Sequence, residues 1–369
     1  MARDPTGRLG CSKPSLRPNN NLLGDKAVSK SNVESGINSA SGERRTLSHW
    51  FELRTMCAAD AHDKPESEVR ELLRLILDGE QGPDDFELQK LTGGRAHAVY
   101  KVENGKTTAV LRVLEGHGAV ETALLEQGVT LFLRQHNYPV PAIYKYKVVK
   151  GGSTALFLNE FCHGGTLGDL AQQIATKKGT VKELVPITKS FGATLASLHM
   201  IPDSKDCLEK HKVAMRTEDI LPARGTPPSK GGISELFMLL VELCKDSPKS
   251  LLHMDFHAGN VIIDGDHCKS VLDWESCAYG DPRLDFAMAW GFLEMTPPEM
   301  FLGQENKNVI IQAFVSGYFQ VLGQTYSDMS AFKAWALWAL GQDHGEECAK
   351  RLKPAVESLM RQAGLGTRV

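Results

Sequence analysis

The chain has 369 residues, 42% hydrophobic and 24% charged, the composition of a soluble globular protein with apolar material for a sizeable core. Its 42 basic and 45 acidic residues give a formal net charge of −3, which argues against nucleic acid or a charged membrane surface as partners. No stretch approaches the length of a membrane span, the N-terminus lacks the apolar core of a signal peptide, and the eight cysteines form neither a C-x-x-C pair nor a zinc spacing, so free thiols in a reducing, cytoplasmic setting are expected.

Residues 1–60 are poor in large apolar side chains and rich in Ser, Asn, Gly and Arg, with no sustained period. Such a composition cannot bury enough surface to offset the entropy of ordering, and a disordered tail is expected. Asp63-x-x-Glu66 then has capping-box spacing, with Pro65 in the first turn, and Val69, Leu72, Leu73 and Ile76 recur at helical spacing toward Gly79.

From Phe86 the pattern changes to strands: Phe86 to Leu91, Ala98 to Glu103 and Thr107 to Leu114. Asn104-Gly105 reads as a two-residue hairpin turn between the last two. Gly93-Gly94 forms a loop between the first two, and a glycine loop there can cover nucleotide phosphates with backbone N–H groups; an ordinary turn is the other reading. Residues 118–136 read as a helix with Leu124, Leu125, Val129, Phe132 and Leu133 on its apolar face, and Tyr144 to Val149 and Ala155 to Asn159 as two further strands. Glu160-Phe161-Cys162 leads from these to Gly164-Gly165, after which the chain turns helical.

Leu167 to Ala175 is one candidate helix and Val185 to His199 another, with Ile187, Phe191, Leu195 and Leu198 on one face. Residues 203–232, with Pro222, Pro227, Pro228 and Gly231-Gly232, read as a flexible connection before a helix from Ile233 to Cys244. After Trp290, helices are expected over 306–322, 328–341 and 345–363, with Phe332, Trp335 and Trp338 as core residues.

The chemistry concentrates between Leu251 and Trp290. His253-x-Asp255 is followed by Asn260 five residues after that Asp, and by Asp273 thirteen residues after Asn260. Leu251-Leu252, Val261-Ile262-Ile263 and Val271-Leu272 read as short strands, and Asp264-Gly265-Asp266 as a hairpin turn. Such a hairpin holds Asn260 and Asp273 side by side at its open end, with Asp255 on the loop feeding it. Phosphoryl transfer uses this set: a carboxylate that takes the hydroxyl proton, and an amide oxygen and second carboxylate that hold Mg²⁺ across the phosphates. The order is that of the kinase signature, with Asp273-Trp274-Glu275 where D-F-G would stand. The competing reading, a Zn²⁺ cluster of His253, Asp255 and His257, leaves Asn260 and Asp273 unexplained. His253 is read as a brace for the loop, and His257 stays open between bracing and substrate contact.

Together with Gly259 and the downstream Gly280-Asp281-Pro282-x-x-Asp285, this run resembles the aminoglycoside phosphotransferase family of the protein-kinase-like superfamily. Leu195-x-x-Leu198-His199, and Glu126 followed by Phe132-Leu133 and Pro139-Val140-Pro141, resemble it too. The resemblance covers Phe86 to the C-terminus. It implies an α+β, two-lobed, protein-kinase-like fold: behind the tail, residues 61–163 form a nucleotide-binding lobe with a small antiparallel sheet, and 164–369 a larger, mainly helical catalytic and substrate lobe. It also implies ATP and Mg²⁺ as cofactors and transfer of the γ-phosphoryl group to a hydroxyl of a small molecule. In that scheme Asp255 accepts the proton, Asn260 and Asp273 hold Mg²⁺, and Gly93 and Gly94 shape the phosphate cover. Arg112 occupies the place of the kinase strand Lys and binds phosphate oxygens. Of its two candidate partners, Glu121 and Glu126, the resemblance favours Glu126. The Glu160 to Cys162 segment would be the hinge whose backbone meets adenine.

No Ala-Pro-Glu follows Asp273, which argues against a protein acceptor. Two rivals remain: a binding-only pseudokinase, motivated by Arg112 in place of Lys, and a metal-dependent hydrolase built on His253, Asp255 and His257. Glu275, Glu294 and Glu299 are candidates for an acidic acceptor pocket, with unclustered surface charge as the alternative.

Overall fold

Val69, Leu72, Leu73, Ile76 and Leu77 form one apolar stripe of helix Glu66–Leu77 (α1), and that stripe covers one face of a five-stranded antiparallel sheet. The strands are Glu87–Lys90 (β1), Ala98–Asn104 (β2), Thr107–Glu115 (β3), Ile143–Val149 (β4) and Thr154–Glu160 (β5), in the order β1-β2-β3-β5-β4. Full burial of a Leu or Ile side chain is worth about 1.5–3 kcal/mol. That stripe therefore holds α1 to the sheet, and Leu73→Ala would cost about 2–5 kcal/mol. This computed structural model describes residues 64–79, 82–91, 97–176, 180–202, 204–210 and 217–366, all within the compact unit Arg45–Val369. The expected tail over 1–60, Asp63 and the Gly93-Gly94 loop lie outside the described residues.

The period of two along β3 and β5 sorts the sheet's faces. Ala109, Leu111, Val113, Leu156 and Leu158 pack under α1. Ala155 and Phe157 point the other way, toward Ala119 and Ala123 of helix Ala119–Gln135 (α2). Val110 and Arg112, on that second face, line a cleft.

Two local expectations are corrected. Pro65 stands at the N-cap of α1, before its first helical residue, and supplies no side-chain cap. The β2–β3 turn is Gly105-Lys106, because Asn104 pairs with Thr107. Neither turn residue has a positive φ. Asn104 instead accepts the Lys106 and Thr107 N–H groups on Oδ1 at 3.1 and 2.8 Å, so its side chain stabilises the turn from outside it.

The second lobe begins with the two-residue strand Gly165–Thr166 (β6), helix Leu167–Thr176 (α3) and helix Leu184–His199 (α4). The stretch expected to be a flexible connection carries helices Ser204–Lys210 (α5) and Thr217–Ile220 (α6) and a 3₁₀ turn over Leu221–Arg224. Leu208, Ile220, Leu221 and Ala223 are buried there. Pro222 falls in the first turn of the 3₁₀ segment, where its missing N–H breaks no bond. Helix Gly232–Cys244 (α7) leads to strand Ser250–Leu252 (β7). Strands Val261–Asp264 (β8) and His267–Val271 (β9) form the expected hairpin, turning at Gly265 with φ 58, and β6 pairs with its outer edge. Strand Ala278–Gly280 (β10) pairs with β7. Helices Pro282–Met295 (α8), Gln304–Leu322 (α9), Met329–Asp343 (α10) and Glu346–Gln362 (α11) complete the lobe.

Helices α4 and α9 cross with their backbones almost touching: a Cβ on Gly192 would meet Phe314 O at 2.1 Å, and one on Gly317 would meet Lys189 O at 1.9 Å. Only glycine fits at that crossing. Phe332 and Trp335 are fully buried and Trp338 nearly so, in the core that α8, α10 and α11 share. The six described cysteines are free thiols, and no helix among the described residues is long and apolar enough to cross a membrane.

Candidate active site

The cleft between sheet and helical lobe has a volume of about 1090 Å³ and is lined from both sides, by Val99, Val110 and Arg112 above and Asp255, Asn260 and Asp273 below. That volume lies just above the usual range of small-molecule and cofactor sites, about 300–1,000 Å³.

In the sheet, Arg112 pairs with Val99 on one side and Phe157 on the other, which aims its side chain off the cleft face. It reaches Glu126 on α2 with both arms: Nη1 donates to Oε2 at 2.8 Å and Nη2 to Oε1 at 3.3 Å. Glu126 is buried, whereas Glu121, more than one helical turn earlier, is exposed. Burial works against the Arg112 charge, but Glu126 first, then Asp273 and Glu275, outweigh it and raise its pKa. Glu126 Oε1 also accepts the Trp274 N–H at 3.3 Å, so one carboxylate joins the sheet to the residue after Asp273.

The loop bearing Asp255 is fixed by a residue far along the chain. Asp285, in α8, accepts the His253 N–H at 2.6 Å and the Met254 N–H at 2.9 Å. Met254 sits at φ 63, a left-handed conformation unusual for a non-glycine residue, and these two bonds hold it there. His199 Nε2 lies 3.1 Å from Asp285 Oδ2 and its Nδ1 lies 2.7 Å from the Tyr318 hydroxyl. Burial alone would raise Asp285; the His199 hydrogen bond and charge, with the His253 contacts, outweigh it and hold the carboxyl below its usual range.

His253 accepts the Asp255 N–H on Nδ1 at 3.2 Å, so the ring proton is on Nε2, where it is donated to Leu272 O at 2.9 Å. Burial lowers its pKa and keeps it neutral. Both ring nitrogens are engaged, which leaves no lone pair for a metal. Among the described residues, no three His, Cys, Asp or Glu side chains are placed together to hold an ion. His257 accepts the Gly259 N–H on Nδ1 at 3.0 Å, and its Nε2 is 3.8 Å from Asp255 Oδ2.

Asn260 donates Nδ2 to the Asp255 carbonyl at 3.0 Å and to Asp255 Oδ2 at 3.4 Å. That orientation leaves the amide oxygen as the end able to bind a cation. The Leu272 N–H donates to Asn260 O at 2.8 Å, so the hairpin ends bring Asn260 beside Asp273, itself at φ 64. An amide oxygen and a carboxylate are hard donors of the kind Mg²⁺ takes.

Glu160 and Cys162 line the same cleft. The Glu160 carboxylate accepts the Ala142 N–H at 2.9 Å and its own N–H donates to Ala142 O at 2.8 Å, so its side chain fastens the strand end. Two of the three acidic candidates are engaged elsewhere, Glu275 Oε2 at 3.0 Å from His97 Nε2 in a buried contact and Glu294 paired with Lys307 at 3.4 Å, and Glu299 is exposed.

Sequence reasoning missed Arg224. It is 5% exposed and lies in the stretch read as a connection. Its Nη2 donates to Met254 O and lies 3.4 Å from Asp255 Oδ1, while Nη1 lies 3.2 Å from Asp343 Oδ2. The only available signal was an arginine beside the apolar Leu221 and Ala223.

The model of the phosphotransferase enzyme family matches residues 87–329. No curated protein matches the chain. Among solved structures, an ethanolamine kinase of Plasmodium vivax is similar with a TM-score of 0.56 at 16% identity, covering 89% of this chain and 99% of that one. A thermostable mutant of an aminoglycoside phosphotransferase, in ternary complex with AMP-PNP and hygromycin B, gives a TM-score of 0.53 at 15% identity, covering 80% of this chain and 98% of that one. At these identities the likeness establishes the two-lobed, kinase-like fold.

Proposed function

Because the chain belongs to the phosphotransferase enzyme family, we propose that it moves the γ-phosphoryl group of ATP to a hydroxyl of a small molecule, with Mg²⁺ as cofactor. The observation that carries this reading is the meeting of two sets in one cleft: the Arg112–Glu126 pair from the sheet, and Asp255, Asn260 and Asp273 from the helical lobe.

In this reading residues 61–163 form the nucleotide lobe and 164–369 the catalytic and acceptor lobe. Arg112 binds phosphate oxygens, steadied by Glu126; Gly93 and Gly94 cover the phosphates; the Glu160 to Cys162 backbone borders the base. Asp255 accepts the acceptor's hydroxyl proton as that oxygen bonds to the γ-phosphorus and the bond from phosphorus to the ADP oxygen breaks. Asn260 and Asp273 would hold Mg²⁺, which neutralises phosphate charge when bound. His253 keeps Asp255 in place and takes no proton, since both its nitrogens are engaged. The acceptor enters from the side of Phe292, Asp343 and His344, which line the same cleft. A fold neighbour in ternary complex with AMP-PNP and hygromycin B supports the binding of a nucleotide and a small acceptor together. The free thiols suit a cytoplasmic setting.

The test is an ATP-consumption screen across hydroxyl-bearing metabolites and antibiotics. Acceptor-dependent ADP release, abolished by EDTA and restored by Mg²⁺, is expected. Tight MgATP binding with no turnover on any acceptor would instead make the protein a binding-only pseudokinase.

A further inference from the structure

Each oxygen of the Asp255 carboxylate is held by a different element. Oδ2 faces Asn260 Nδ2 at 3.4 Å, at the mouth of the β8–β9 hairpin. Oδ1 faces Arg224 Nη2 at 3.4 Å, and the same nitrogen donates to Met254 O in the preceding residue. The other arm of Arg224 lies 3.2 Å from Asp343 at the end of α10. The turn that presents Arg224 is seated on the same helix, since the residue after it, Gly225, packs against the Trp338 ring.

Two features argue that this pairing is built. Arg224 is buried, and a buried charge is strongly disfavoured unless its partners surround it. Asp343 is the last residue of α10, where the negative end of the helix dipole disfavours a carboxylate. Each residue is poorly placed without the other. A lysine, with a single point of charge, could not reach two carboxylates and a carbonyl at once; the guanidinium fork does.

We propose that Arg224 is a positioning residue for the phosphoryl transfer: with Asp343 as its anchor on α10, it fixes the Asp255 carboxylate opposite Asn260, so the acceptor-side helix helps to set the base. This rests on the reading of Asp255 as the group that takes the hydroxyl proton. It gives the last turn of α10, whose Asp343 lines the cleft, a direct mechanical line to that group.

The experiment uses the full chain, with MgATP alone and water as acceptor, and Mg-AMP-PNP for binding. The variants are Arg224→Met, Arg224→Lys, Asp343→Asn and the double variant Arg224→Met with Asp343→Asn. Mg-AMP-PNP affinity by calorimetry should stay within about twofold, because Arg224 meets Met254, Asp255 and Asp343 and none of the residues assigned to phosphate or cation. In Arg224→Met, kcat for ATP hydrolysis should fall about 10²-fold with KM unchanged, the size expected for a misplaced group. Arg224→Lys should recover part of that loss. The double variant should lose no more than Arg224→Met alone, because the two residues act as one unit. A crystal structure of Arg224→Met reads the same effect without turnover: the Asp255 carboxylate should leave its place beside Asn260. An unmoved carboxylate, an unchanged kcat, or a loss of nucleotide affinity matching the loss of kcat would each overturn the proposal. Wild-type protein that fails to bind Mg-AMP-PNP would overturn the functional reading and this inference together, whereas binding with an unaffected Arg224→Met would overturn this inference alone.

Discussion

Asp285 accepts the Met254 N–H at 2.9 Å across 31 positions of the chain, and so holds a residue in a backbone conformation it would not adopt by itself. A non-glycine residue in the left-handed region costs about 1–3 kcal/mol, so the contact must be rigid to persist. Asp285→Asn keeps the shape but removes the charge facing His199, and presents one oxygen where two accepted. Hydrogen bonds to charged groups contribute about 1.5–3 kcal/mol, and a loss of that size is expected in urea denaturation. An unchanged midpoint would mean that Met254 is held by packing and not by Asp285.

The neutral His253 makes stability depend on pH. Its folded pKa lies below the ordinary value of about 6.5 because burial disfavours the charged ring. The unfolded chain therefore binds a proton, from about pH 6.5 downward, that the folded chain refuses. The stabilisation is complete above that pH and is lost as pH falls toward the folded pKa, by up to about 1.4 kcal/mol per unit. Asp285, held below its usual range, adds a second loss only below about pH 3.9. Urea midpoints measured from pH 8 to 5 should fall in the wild type, and in His253→Gln, which lacks the titrating ring, the slope should flatten. Parallel slopes would place the acid sensitivity elsewhere.

The parts written locally in the chain were readable. Alternation along Thr107–Glu115 and helical spacing through Leu125, Val129 and Leu133 depend on near neighbours, and the structure has those elements at those places. The β2–β3 turn was displaced by one residue because Asn104 can serve a turn from inside or from its flank, and the pairing of Asn104 with Thr107 settles which. Arg224 was not readable, because its partners are 31 and 119 positions away and nothing beside it in the chain names them. The motif containing Asp285 was visible, but its work was not. That work depends on the backbone angle of Met254, which no residue type specifies.

Arg112 and Glu126 should be separable from general stability. Arg112→Ala removes the two-armed contact to Glu126 and the charge that the nucleotide reading places on phosphate. MgATP affinity should fall by about ten- to a hundredfold, the equivalent of about 1.5–3 kcal/mol for a charged contact. Glu126→Gln should weaken nucleotide use as well, since it loosens both Arg112 and the Trp274 N–H, whereas Glu121→Gln should change nothing because Glu121 is exposed. Calorimetric titration of MgATP into the three variants checks this. Equal effects from Glu121 and Glu126 would remove the pair from the site.

Asp255 and Asp273 should fail in different ways, although both are carboxylates in one cleft. Asp273 is assigned to the cation, so Asp273→Ala should weaken metal-dependent nucleotide binding, and added Mg²⁺ should restore part of it. Asp255 is assigned to the acceptor hydroxyl. Asp255→Asn keeps the size of the side chain and removes the proton acceptor, with one oxygen left for the two donors, Arg224 and Asn260, that the carboxylate met; MgATP should still bind. Turnover should fall by about 10²–10⁴-fold, the range of a general base. Calorimetry beside turnover on one acceptor separates the two. Loss of MgATP binding in Asp255→Asn with intact binding in Asp273→Ala would exchange the roles. Full turnover in both would remove the two carboxylates from the chemistry and leave the Arg112–Glu126 pair as a structural tie between sheet and helix.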